Sequence, residues 1–117
     1  MKYMALIYDE PRDDPEPGTP EFEAYMGEWM AVNQVYIDAG VLQGGEALEP
    51  PSTATRVQVR DGKTETMDGP FAETKEQLGG FYLLECANLD EAVKYAAMIP
   101  TARDGTVEVR PVMNLDF

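Results

Sequence analysis

Lys2-Tyr3-Met4-Ala5-Leu6-Ile7-Tyr8 is the stretch whose reading decides the fold. It has the length of a strand, and its apolar residues follow one another instead of alternating with polar ones. Successive side chains of a strand point to opposite faces, so a run of this kind asks for burial on both sides. Gly80-Phe81-Tyr82-Leu83-Leu84-Glu85-Cys86 makes the same demand further along the chain. The two strands need a sheet with helices on one face and a second cover on the other.

The segments around them supply the helices. Residues 9–18 are rich in proline and acids and read as a loop. Thr19 is placed to cap a helix with Pro20 at its first position. Phe22, Met26, Trp29, Val32 or Asn33, and Tyr36 recur at helical spacing, and Gly40 suits the left-handed position after the last turn. Val41–Leu48 is a short strand, in which Gly44 and Gly45 mark a bulge or the close approach of another group. Pro50 and Pro51 break it. Thr55–Arg60 and Lys63–Met67 flank Asp61-Gly62, a two-residue hairpin signal, with Val57 and Val59 on one face. Asn88, with Glu91 three residues on, opens a second helix whose stripe is Leu89, Ala92, Val93, Ala96 and Ile99. Pro100 ends that helix, and Thr106–Met113 is the last strand, with Pro111 at its end or on a sheet edge.

Without the hairpin the order is βαββαβ, the ferredoxin-like α+β plan. Two helices cover one face of an antiparallel sheet. The other face is expected to meet a second copy of the chain, so a homodimer through the sheet face is predicted. Trp29, Leu83 and Phe71 are expected to be buried.

The 117 residues fit one domain. No apolar run approaches the length that spans a bilayer, and the first residues lack the pattern of a signal peptide. The net charge of −13 is expected to repel nucleic acid and anionic membranes and to favour a basic protein partner. Asp9, Glu10, Asp13, Asp14 and Glu16 form one acidic patch. A lone cysteine, Cys86, excludes an internal disulfide and reads as a buried structural thiol, so the cytoplasm is the expected compartment. With no histidine the chain cannot build a Ser-His-Asp or Cys-His arrangement or a histidine-ligated metal. No transition metal and no cofactor is expected. Acid–base chemistry near neutrality is left to carboxylates, a lysine or a tyrosine.

Asp68-Gly69-Pro70-Phe71-Ala72-Glu73-Thr74-Lys75-Glu76-Gln77-Leu78-Gly79-Gly80 joins a turn former and several charges to a glycine hinge. Phe71 is the expected anchor. The plain reading is a turn followed by a solvated helical turn, with Thr74 and Gln77 as a small capping box. The sharper reading makes the loop a ligand site, with Asp68, Glu73, Lys75, Glu76 and Arg110 converging on one cleft near the helix-covered face. On the helical stripe, Trp29 is more readily core than ligand box, and it stands with the loop charges as a candidate ligand-binding residue.

The nonapeptide Asp68–Glu76 resembles the signature of the DGPF family, a branch of the YciI-related proteins. Lys2–Tyr8, Ala39–Leu42, Leu48–Pro51, Gly79–Glu85, Leu89–Ala92 and Val107–Val112 are similar to other elements of that family. The resemblance implies a dimeric α+β barrel with sheets packed back to back. Some YciI-like relatives are linked to lyase or dehalogenating steps that use a histidine and an aspartate. In the comparable part of helix one this chain offers Tyr25 and Trp29 instead, so such an enzyme would rely on Asp68, Glu73 or Glu76 as base and on Lys75 or Arg110 as anion clamp. Genes of the family often lie beside those for alternative sigma factors. The resemblance therefore also implies a ligand-sensing or accessory partner of a sigma factor.

Overall fold

The computed structural model describes residues 1–11, 14–70 and 75–115. Its strands are β1 (Lys2–Asp9), β2 (Leu42–Ala47), β3 (Thr55–Arg60), β4 (Lys63–Asp68), β5 (Gln77–Glu85) and β6 (Thr106–Pro111). The helices are α1 (Pro20–Asp38), after β1, and α2 (Leu89–Ala96), after β5. β2, β5, β1 and β6 lie side by side in that order, each antiparallel to its neighbour, which is the ferredoxin-like arrangement. Among the described residues, β3 and β4 pair only with each other.

The helix boundaries follow local chemistry. The Thr19 hydroxyl accepts a hydrogen bond from the Phe22 amide at 3.2 Å, and Gly40 closes the helix with a φ of 72°. Asn88 Oδ1 accepts from the Glu91 amide at 2.9 Å, while Glu91 Oε1 reaches back to the Ala87 amide at 3.1 Å. Two otherwise unpaired donors at the start of α2 are thereby satisfied. Asp61 and Gly62 both take positive φ, 52° and 75°, as a tight hairpin turn between twisted strands requires.

Both helices pack on one sheet face. Tyr3, Ala5 and Ile7 of β1, Leu84 of β5, Val32 and Tyr36 of α1, and Ala92 of α2 form the core, with Val41, Cys86 and Ile99. Tyr36 is 0 % exposed and donates its hydroxyl to the Tyr95 carbonyl at 2.6 Å. Burial pushes the Cys86 thiol up, as suits an inert structural cysteine. The opposite sheet face carries Met4, Leu6 and Tyr8 beside Phe81 and Leu83, all half-buried in the single chain.

Several expectations need correction. Gly79 and Gly80 are no hinge, because both lie inside β5. Gln77 opens that strand and so caps no helical turn; Thr74 lies outside the described residues, as do Phe71, Glu73 and Asp13. Trp29 and Leu83 are half-buried and Met26 is exposed. Leu89 and Val93 are half exposed, because α2 is short and turns only Ala92 and Ala96 fully inward. No helix among the described residues is long and apolar enough to cross a membrane.

Candidate functional site

A cleft of about 720 Å³ separates α1, from Tyr25 to Ile37, from β2 and β5. Its existence follows from residue size. The sheet positions facing α1 here are Gly45, Ala47 and Gly80, which raise no side chain to meet the helix. The glycines are fixed by strand packing: a Cβ on Gly45 would lie 2.7 Å from the Phe81 carbonyl oxygen, and one on Gly80 2.8 Å from that of Glu46. No larger residue can fill the gap without moving backbone.

Tyr25, Trp29 and Tyr82 line the cleft, with Tyr36 behind them. Trp29 and Tyr82 stack with centroids 6.5 Å apart and planes 23° from parallel. Tyr25 meets Trp29 edge-on at 6.4 Å, and Tyr36 meets Tyr82 at 5.1 Å. The Tyr82 hydroxyl donates to Asn33 Oδ1 at 2.5 Å, which ties the sheet to α1 at the back of the cleft. Burial raises the Tyr82 hydroxyl pKa, so this group is a neutral donor in the working range of a protein. The Trp29 indole N–H is out of water and has no hydrogen-bond partner among the described residues. A buried N–H left unpaired costs on the order of 1–3 kcal/mol.

The mouth is acidic. Asp9, Glu10, Asp14, Glu46 and Glu49 line it, and no lysine or arginine does so among the described residues. Lys75 meets it through Glu10, at 3.2 Å. Such a mouth attracts cations and disfavours anions. No three of histidine, cysteine, aspartate and glutamate gather as a metal-ligand set among the described residues.

The charged residues singled out in the loop sequence do not meet in this cleft. Asp68 ends β4, opposite Thr55. Lys75 turns to Glu10. Glu76 accepts a hydrogen bond from the Thr106 hydroxyl at 2.9 Å, at the start of β6. Arg110 stands at the other end of β6, about 13 Å along the strand. There it binds Glu108 at 2.8 Å and pairs in register with Met4. Since Tyr3 and Ala5 face the helices, Met4 and Arg110 face away from them, so Arg110 is not on the helix-covered side. Glu73 lies outside the described residues. Among the candidates with a described position, Trp29 is the one that lines the cleft.

Sequence reasoning passed over Tyr82, Asn33, Asp9 and Glu46. Two signals pointed towards them. The Gly44-Gly45 pair marked a close approach, and Asp9, Glu10 and Asp14 formed part of the acidic patch. What the sequence could not supply was the register that sets Gly45 opposite Tyr82 and Ala47 opposite Gly80.

Comparison with known proteins places this architecture. An uncharacterized protein of Rhizobium meliloti (strain 1021) is 41 % identical over 114 residues, covering 96 % of this chain and 92 % of that protein. The model of the YCII-related domain matches residues 1–116, and the chain belongs to that family.

Proposed function

We propose that the protein binds a small, flat, uncharged or cationic organic molecule in the cleft between α1 and the β2–β5 edge, as a homodimeric member of the family's DGPF branch. The observation that carries this reading is the aromatic wall of a cleft of about 720 Å³, where Trp29 stacks on Tyr82 and Tyr25 meets Trp29 edge-on. That volume lies in the range of small-molecule sites, which are mostly apolar with a few placed polar groups. The Trp29–Tyr82 pair would stack on the ligand's ring, and the acidic mouth would turn carboxylates away.

Trp29 is the only tryptophan, so its emission reports on the site. Titration with phenols, aromatic amines and aromatic carboxylates should give saturable quenching by a member of the first two classes and none by the third. Trp29→Phe, followed by thermal shift, should weaken that ligand by up to about tenfold, the loss of the indole's larger stacking surface. Quenching by no compound, or equal binding of carboxylates, would sink the reading.

Conversion of the bound ligand would move the protein to the enzyme class, with Asp9 as the carboxylate at hand; binding without turnover leaves it a sensor or accessory protein. The net charge of −13 supports the second role, since an acidic surface suits a basic partner such as a sigma factor in the cytoplasm. Pull-down of a neighbouring sigma factor with and without ligand tests it.

A further inference from the structure

We propose that the β3–β4 hairpin is an arm that clasps a second copy of the chain, seated through the face made by Val57, Val59, Thr64 and Thr66. The inference rests on the homodimer reading above and adds an element that the open sheet face does not include.

Among the described residues, the face of the hairpin that carries Val57 and Val59 is left largely uncovered. No residue of β3 or β4 is buried, and Val57 and Val59 are 62 % and 58 % exposed. The register sets Val57 opposite Thr66 and Val59 opposite Thr64, so four β-branched side chains share one exposed surface. A two-stranded hairpin alone is marginal in water. The arm also explains the shape of the chain. Its radius of gyration is 16.4 Å, against about 13 Å for a compact domain of this length.

The neck of the arm is stiff. Pro50 and Pro51 lead into a single 3-10 turn, where the Thr53 amide and hydroxyl both donate to the Pro50 carbonyl, at 2.9 and 2.7 Å. The Gly69 amide closes the base onto the Ala54 carbonyl at 2.7 Å. An arm pointed in a fixed direction loses little entropy when it docks.

Charge admits a second copy as the occupant. Within residues 55–68, Arg56, Arg60 and Lys63 offset Asp61, Glu65 and Asp68, so the arm is neutral and the whole net charge of −13 lies on the rest of the chain. Two such bodies repel each other. The arm can approach an acidic body without that penalty. Closed two-fold assembly would use two arms at once, each covering what its own subunit leaves bare.

The test compares the full-length protein with Val57→Glu/Val59→Glu, whose substituted side chains stand in solvent in the single chain. Sedimentation measures the dimer dissociation constant, and hydrogen exchange followed peptide by peptide measures protection of the arm. The expected result is a wild-type dimer with protected β3–β4 amides that lose protection on dilution. The double variant should retain its far-ultraviolet circular dichroism and have a dissociation constant raised about tenfold or more. A dimer of unchanged affinity in the variant, or unprotected arm amides in a fully dimeric wild type, overturns the arm and leaves the sheet-face dimer standing. A monomeric wild type overturns both. Arm protection that appears only with a different protein overturns the choice of a second copy. None of these outcomes bears on the cleft, which fluorescence tests separately.

Discussion

The four-stranded sheet and the β3–β4 hairpin are built from the same residue types, yet they hold together in different ways. In the sheet, Tyr36 lies against Tyr82 and Tyr95, Leu84 against the helices, and little of any of them reaches water. In the hairpin, Val57 and Val59 are as apolar as Val32, and most of their surface is wet. Strand propensity and an Asp-Gly turn are enough to write a hairpin into the sequence. They do not stabilise it, because stability comes from what packs on its faces. The body is thus complete on its helix side, and the arm has strands but no core.

Tyr36→Ala should have the largest effect on that contrast. The side chain is fully buried and hydrogen-bonded, so its removal should cost the body about 3–5 kcal/mol in denaturant unfolding. A cost below about 1 kcal/mol would mean that the body is no better packed than the arm. Tyr36 also sets a pH dependence. Burial, and after it the neighbouring Tyr82 and Cys86, push its hydroxyl well above the usual tyrosine range. The folded pKa therefore exceeds the unfolded value of about 10. Stability from this group is fully present below that pH and falls as pH rises further, since the unfolded chain loses its proton first. Tyr36→Phe should flatten the alkaline fall, leaving the part due to Tyr82 and Cys86, which are raised as well.

The body was largely legible in the sequence, and the site was not. Continuous apolar runs gave β1 and most of β5, and capping chemistry placed Thr19 and Asn88 at the helix starts. The start of β5 was missed because Gly79-Gly80 reads as a hinge, whereas cross-strand crowding, not flexibility, requires glycine at position 80. The cleft depends on pairings between β2 and β5 and on which residues of α1 overhang them, and no local pattern contains that information. The charged loop was conspicuous, yet Lys75, Glu76 and Arg110 each found a different neighbour. Charge density in a sequence says where polar groups are, while convergence is a property of the fold.

The sharpest form of the comparison uses one substitution in both regions. Val32→Ala and Val57→Ala remove the same two methyl groups, one from a side chain 8 % exposed and the other from one 62 % exposed. In the body, the loss should be about 1.5–3 kcal/mol, the full burial value of a valine side chain. In the arm of a dilute, monomeric sample it should stay within about 0.5 kcal/mol, the range of surface substitutions. Raising the protein concentration separates two accounts of the arm. If a second copy covers Val57, assembly stabilises the folded chain, and the variant forfeits part of that gain. The gap between wild type and Val57→Ala should then widen with concentration, while the gap for Val32→Ala stays fixed. If the gap for Val57→Ala is as small at high concentration as at low, the arm is covered by nothing that this chain supplies. The two regions would then differ by a permanent exposure instead of an exchange of partners.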